Sequence, residues 1–297
     1  MELYQLRYAV AVAETGNFTR ASERCHITQP SLSQQIINLE EELGHKLFHR
    51  LGRKAVLTEA GTVFLERARR ILFEVDDATR EIHDSPALER KITIGAITTL
   101  APYLLPQLLA LCKKRLPHLQ VNVREDLRPE LTRGVIDGEL DLAIVSLPVK
   151  DPRLSVEPLF AEPLLLVVGK PHPLAMKHHI TLDDLAKETF VLLGSGSSLS
   201  NQVQRFFGDH NFEPKIGFRC AQVATVKALV ALGVGVSIMP QIALNAEDRS
   251  SIIIKPLADR TPTRDIGVIR HTQRYQSLGA EQFIALLREH VGKRPPR

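Results

Sequence analysis

The sequence predicts a mainly α-helical head bearing a small β-hairpin, one long connecting helix, and a larger α/β body. Three observations predict this order. Between Phe18 and Leu43 two stretches of helical periodicity are separated by only a few residues. From Thr58 to Asp84 one amphipathic repeat runs without a breaker. Beyond Lys91, short apolar strand-like runs alternate with helical ones, the texture of an α/β arrangement. The expected divisions are residues 1–58, 59–90 and 91–297.

In the head, the first helix of the pair runs from Phe18 to Cys25, with Phe18, Ala21 and Cys25 on one face. His26 and Ile27 make the turn, and the Thr28 hydroxyl suits an N-cap because it can accept an orphan backbone N–H. In the next helix Leu32, Ile36, Leu39 and Leu43 form the apolar stripe, and Gly44 suits the C-cap. The other face carries Gln29, Pro30, Ser31, Ser33, Gln34 and Asn38, short polar groups able to approach phosphates and base edges. The segment HKLFHRLGRKAVLT then brings Lys46, Arg50, Arg53 and Lys54 with no acid before Glu59. Leu51-Gly52-Arg53 reads as a hairpin tip and Ala55–Leu57 as a short strand, which makes a basic wing. This is the pattern of a winged helix-turn-helix, whose second helix enters the major groove. Its candidate DNA contacts are Thr28, Gln29, Pro30, Ser31, Ser33, Gln34, Asn38, Arg50, Arg53 and Lys54. The bland alternatives are a helical hairpin with a solvated polar face and a solvated basic loop.

Bulk charge does not support the DNA reading by itself. Residues 1–57 hold seven basic side chains against six glutamates, and the whole chain is only +4. Distribution carries the argument, because the acids cluster at the far end of the second helix while the wing is purely basic. A chain of 297 residues with 44% hydrophobic content can bury a sizeable core. It has no apolar run of membrane-spanning length and no secretion signal, and its three scattered cysteines suit a reducing compartment. A cytoplasmic protein is expected.

The stretch LRYAVAVAETGNFTRASERCHITQPSLSQQIINLEEELGHKLFHRLGRKAVLTEAG resembles the LysR-type transcriptional regulators, with TQPSLSQQI, LEEELG and LF-R as the specific parts. The resemblance extends at lower specificity over essentially the whole chain. It implies a bacterial transcription regulator that binds double-stranded promoter DNA, answers to a small-molecule effector and contacts RNA polymerase. It also implies a linker helix that dimerises, and commonly a homotetramer built as a dimer of dimers.

The connecting helix presents Ala60, Phe64, Ala68, Ile71, Val75, Ala78 and Ile82 at near-heptad spacing. Two copies could bury these stripes together in a homodimer, or the stripe could pack on the chain's own domains.

In the body, strands are expected at Ile92–Ile97, Leu119–Glu125, Leu140–Ser146, Leu164–Gly169, Phe190–Gly194, Ile216–Cys220, Val236–Pro240 and Ile266–Arg270. Helices are expected at Leu100–Leu116, after Arg128 to Gly134, after the Gly194–Ser198 segment, after Gln222 and at the C-terminus. The resemblance implies two subdomains with crossing strands, like periplasmic solute-binding proteins, divided as 91–161 with 267–297, and 162–266. In such sheets ligands sit beyond the C-terminal strand ends, near helix N-termini that favour anions. Thr98, Thr99, Arg128, Ser195, Ser197, Ser198, Gln222 and Val223 fall at such places and suit a small anionic or carboxylate effector. Helix capping for the serines and threonines, and an ordinary surface role for Arg128, are the competing readings.

Within the family, ITIGAITTLAPYLLP is most similar to the peroxide sensors, whose redox cysteine pair falls in the segment matching Gly196–Phe207. Here those positions are Ser198 and Phe207, so a thiol switch of that kind lacks its thiols. Thr99 matches a peroxide-contacting threonine, but Arg128 replaces a second one. His172, His178 and His179 read as a solvated loop rather than a metal site, and no cofactor is expected. No nucleophile with base and orienting acid is evident, so catalysis is not expected. An architectural DNA binder insensitive to ligands, and an α/β enzyme with a DNA-binding head, are the rival readings.

Overall fold

The computed structural model describes residues 1–51, 54–83, 90–257 and 261–292. It forms two compact units, Met1–Ser85 and Pro86–Arg297.

The first unit opens with a helix that the patterning above leaves unassigned, α1 (Leu3–Thr15). It ends at Gly16, whose φ of +61° is the left-handed geometry that glycine adopts without strain. The pair α2 (Phe18–Arg24) and α3 (Gln29–Leu43) follows. Asn17 caps α2 by accepting from the Thr19 and Arg20 amides at 2.8 and 3.1 Å. His26 takes a left-handed φ of 54° in the turn, and Thr28 caps α3 through the Ser31 amide. The wing is β1 (Phe48–Leu51) paired antiparallel with β2 (Lys54–Leu57). Thr58 then starts α4 (Glu59–His83), its hydroxyl accepting from the Gly61 amide at 2.9 Å. A Cβ at Gly61 would lie 2.1 Å from the Leu47 carbonyl, so only glycine allows α4 to start this close to the strand approach. Leu6, Ala9, Val12, Ala21, Leu32, Ile36, Leu39, Leu47 and Phe48 form the core, joined by Leu65, Ala68 and Leu72 from α4.

The second unit begins with β3 (Arg90–Ile97), α5 (Ala101–Arg115), β4 (Leu119–Asp126), α6 (Arg128–Ile136) and β5 (Leu142–Ser146). β3 pairs parallel with both β4 and β5. The next strand, β6 (Leu154–Gly169), begins ten residues before the expected Leu164. Pro158 and Pro163 interrupt its pattern, and proline within a run argues against a strand. Next come β7 (Thr189–Leu193), α7 (Ser198–Asp209), β8 (Lys215–Cys220), α8 (Val223–Ala231) and β9 (Ser237–Pro240). The unit closes with β10 (Ile252–Lys255), β11 (Thr263–His271) and α9 (Leu278–Gly292). β10 was not expected from the sequence; it pairs with the second half of β6.

β11 pairs antiparallel with β6 from Leu154 to Pro163, and β9 and β10 pair with the rest of β6, so this strand ties the unit together. One apolar core gathers β3, β5, α5 and α9 with Leu154 of β6 and Ile266, Val268 and Ile269 of β11. The other gathers Leu164, Leu166, Val167 and Val168 of β6 with β7, α7, α8 and β9. Each core therefore defines one subdomain, and β6 contributes to both.

Candidate nucleic-acid interface and ligand cleft

Gln29, Pro30 and Ser31 stand exposed on the first turn of α3. The Thr28 and Ser31 hydroxyls lie 2.8 Å apart, and Gln34 donates to the Asn38 side-chain oxygen at 2.9 Å, which orients both amides on the exposed face. Arg50 reaches back from β1: its Nη1 donates to the Ser33 hydroxyl at 2.8 Å, and its guanidinium lies 4.6 Å from the Phe18 ring centroid. The wing arginine is therefore braced against α2 and α3 rather than extended from the hairpin. Lys54 is exposed, and Arg53 lies outside the described residues.

Glu40, grouped above with the acids at the far end of α3, is instead buried. Its Oε1 accepts from the Leu47 and Phe48 amides at 2.8 and 3.2 Å, and Oε2 accepts from Lys46 at 3.1 Å. The signal was present: Glu40 falls four residues after Ile36, on the buried stripe.

The stripe on α4 divides. Ala68 lies in the head's own core with Phe64 packed beside it, so Ala68 is not available to a second chain. Ile71, Ala78 and Ile82 are exposed, Ile82 to 82%, with Ala60 and Val75 intermediate. The near-heptad spacing does not distinguish these positions, because α1 covers only one end of the helix.

In the second unit, the C-terminal ends of β3, β4 and β5 lie side by side and carry Thr98–Thr99, Arg128 and Ser146. The parallel pair β7 and β8 ends at Gly194–Ser198 and Gln222. These sets face each other across the two subdomains. Gln202 of α7 donates to the Leu147 carbonyl at 3.4 Å, and a Cβ on Gly196 would meet Leu127 at 3.0 Å. Ser197 and Gln222 are the N-caps of α7 and α8, yet neither makes a side-chain capping bond. Capping thus does not account for these two residues, and both helix starts keep N–H groups able to meet an anion. Ser195 is exposed, Ser197 and Ser198 are buried, and the Val223 side chain packs into the second core.

Arg128 and Thr99 are already engaged. Arg128 Nη1 donates to the Ser146 and Pro148 carbonyls at 3.3 and 3.1 Å. Thr98 is exposed, whereas Thr99 is buried and accepts from Arg264 Nη1 at 2.9 Å. Arg264, 1% exposed, also donates to Glu162 from Nε and Nη2 at 2.9 and 2.8 Å. Burial lowers the guanidinium pKa, and the Glu162 carboxylate works against that shift. Glu162 accepts in addition from the Ile242 amide at 2.8 Å. Sequence patterning missed this buried pair, because an arginine and a glutamate 102 residues apart give no local signal.

The description "LysR substrate binding domain" matches residues 86–292, and "Bacterial regulatory helix-turn-helix protein, lysR family" matches residues 3–62. The chain belongs to the LysR family. It is a LysR-type transcriptional regulator, a helix-turn-helix domain followed by a substrate-binding domain. The DNA-binding transcriptional dual regulator OxyR of Escherichia coli K12 is 33% identical over 302 residues, covering 99% of this chain and 98% of its own. A full-length OxyR variant from Pseudomonas aeruginosa superposes with a TM-score of 0.79 at 28% identity, covering 99% and 96% of the two chains. Full-length CbnR in complex with its target DNA gives 0.67 at 25% identity, covering 98% and 100%.

Neither position matched to the redox cysteine pair carries a thiol. Phe207 is buried among Phe190, Phe206 and Phe212, with ring centroids 5.0–5.9 Å away. Ser198 opens α7. Cys112 is buried in the first subdomain core and Cys220 in the second, while burial raises the thiol pKa of Cys25 and of Cys112. His172 lies 3.1 Å from Glu188, and His178 and His179 are exposed. Among the described residues no cluster of three or more His, Cys, Asp or Glu side chains suits a metal ion, and no helix is long and apolar enough to cross a membrane.

Proposed function

We propose that this regulator reads a pseudo-palindromic promoter site as a homodimer or as a homotetramer built as a dimer of dimers, and that a small anion, a carboxylate foremost, controls it from the cleft. Gln29, Pro30, Ser31, Ser33 and Gln34 approach bases and adjacent phosphates, with Thr28 and Asn38 beside them. Arg50, Arg53 and Lys54 hold the backbone. The observation that carries the effector reading is the pair of uncapped helix starts, α7 and α8, opposite Arg128. Thr98, Thr99, Ser195, Ser197, Ser198, Gln222 and the Val223 backbone surround that place. The protein acts in the cytoplasm without cofactor or catalysis and signals to RNA polymerase. Control follows only if the effector favours one quaternary state, since equal affinity for both shifts nothing.

Fluorescence anisotropy of the full chain on its own upstream intergenic DNA, against a scrambled duplex at fixed salt, tests this. Preference for the native duplex that shifts when a carboxylate is added is the expected result. Equal weak binding to both duplexes, unmoved by any acid, would instead identify a ligand-insensitive architectural protein.

A further inference from the structure

Three consecutive carbonyls at the end of β5 lie on the first subdomain's side of the junction. Those of Ser146 and Pro148 accept from Arg128, and that of Leu147 accepts from Gln202 of the opposite subdomain. Two buried polar atoms beside this contact have no hydrogen-bond partner among the described residues: Ser146 Oγ and Gln202 Oε1. Ser146 is 0% exposed. Folded proteins seldom leave such atoms unmet, because each unsatisfied group carries its full desolvation cost. The Gln202 amide is fixed in orientation, since only its NH2 end can serve the Leu147 carbonyl.

We infer that Ser146 and Gln202 form a subsite for a hydroxyl, so that the effector is a hydroxycarboxylate rather than a bare carboxylate; this rests on the cleft reading above. Gln202 Oε1 only accepts, and whatever meets it must donate. A carboxylate oxygen there would set acceptor against acceptor. An ammonium would need an acid, and Glu162 is occupied by Arg264 and the Ile242 amide. An alcohol has the chemistry both atoms leave open: it can donate to Gln202 Oε1 and accept from the Ser146 hydroxyl. The carboxylate then falls to the uncapped start of α7 and to Arg128. Neither Ser146 nor Gln202 carried a sequence signal, because one reads as the last residue of a strand and the other as a polar helix residue.

The test is calorimetric titration of the full chain with matched acids: glycolate and acetate, lactate and propionate, malate and succinate, salicylate and benzoate. In at least one pair the hydroxy acid should bind at least about tenfold tighter, as expected of a site built to hydrogen-bond a hydroxyl. Gln202→Leu and Ser146→Ala should abolish that preference while changing the affinity of the deoxy acid less than about twofold. Ser146→Ala should also raise the melting temperature of the ligand-free protein by about 2–4 °C, since it removes an unmet hydroxyl. Equal affinity within every pair, or a melting temperature lowered by Ser146→Ala, overturns the subsite and leaves the carboxylate reading standing. No binding by any acid overturns both.

Discussion

Replacing Glu40 by alanine would leave the Leu47 and Phe48 amides inside the head without their acceptor. The expected cost is about 1–3 kcal/mol, read as a lowered denaturation midpoint of the head, with Lys46→Ala much milder because its ammonium is exposed. Gln34 poses the opposite case, an exposed amide to which the proposed function gives a role in DNA rather than in folding. Gln34→Ala should leave stability unchanged and reduce discrimination between native and scrambled duplexes by about 1–3 kcal/mol. Equal loss on both duplexes would remove it from base readout. These residues also show what can be read from a sequence. Gln34 is visible because helical spacing places it on the polar face, and Thr28 because a hydroxyl before a helix has one common use. Glu40 is hidden by its identity, and Arg264 by distance along the chain. Ser197 and Gln222 were visible as helix starts, but whether their side chains cap could only be seen in three dimensions.

Elements that face one environment along their whole length are legible from periodicity, and those that change environment are not. α3 has one buried stripe from Leu32 to Leu39 and was read nearly to its ends. β6 was read only from Leu164, where it enters the second core; the residues before that contain Pro158 and Pro163, and Leu154 contributes to the first. The four-residue β10 is too short for alternation to register. α4 is a third case: Leu65, Ala68 and Leu72 turn into the head, while Ile71, Ala78 and Ile82 of the expected stripe lie exposed on the adjoining face. This division separates two mutational effects. Leu72→Ala should destabilise the head by about 2–4 kcal/mol through loss of core packing. Ile82→Glu should leave head stability unaltered and weaken self-association, measured by sedimentation equilibrium. Self-association indifferent to Ile82→Glu would place the dimer interface elsewhere.

At the scale of the whole body, the buried pair Arg264–Glu162 occupies the place where one strand serves two subdomains. The two residues are direct cross-strand partners on β11 and β6. Arg264 also holds Thr99 beyond the end of β3, while Glu162 holds the Ile242 amide after β9. Four segments from both subdomains thus converge on one ion pair. A charge pair in this setting gains little over well-packed apolar side chains, but removing one partner strands the other away from water. Arg264→Met alone should therefore cost about 3–5 kcal/mol in chemical denaturation, because the Glu162 carboxylate stays buried beside a thioether. The double variant Arg264→Met with Glu162→Leu should recover much of that loss, though not all, since the Ile242 amide and Thr99 hydroxyl still lose their partners. If the double variant is as unstable as the sum of the single changes, the two side chains act independently and the junction is held by the strand ladder. Recovery of stability without recovery of effector-dependent DNA binding would have a sharper meaning. It would show that the pair is retained to fix the geometry between the subdomains, and that Thr99 must be held by Arg264 for cleft occupancy to reach the DNA.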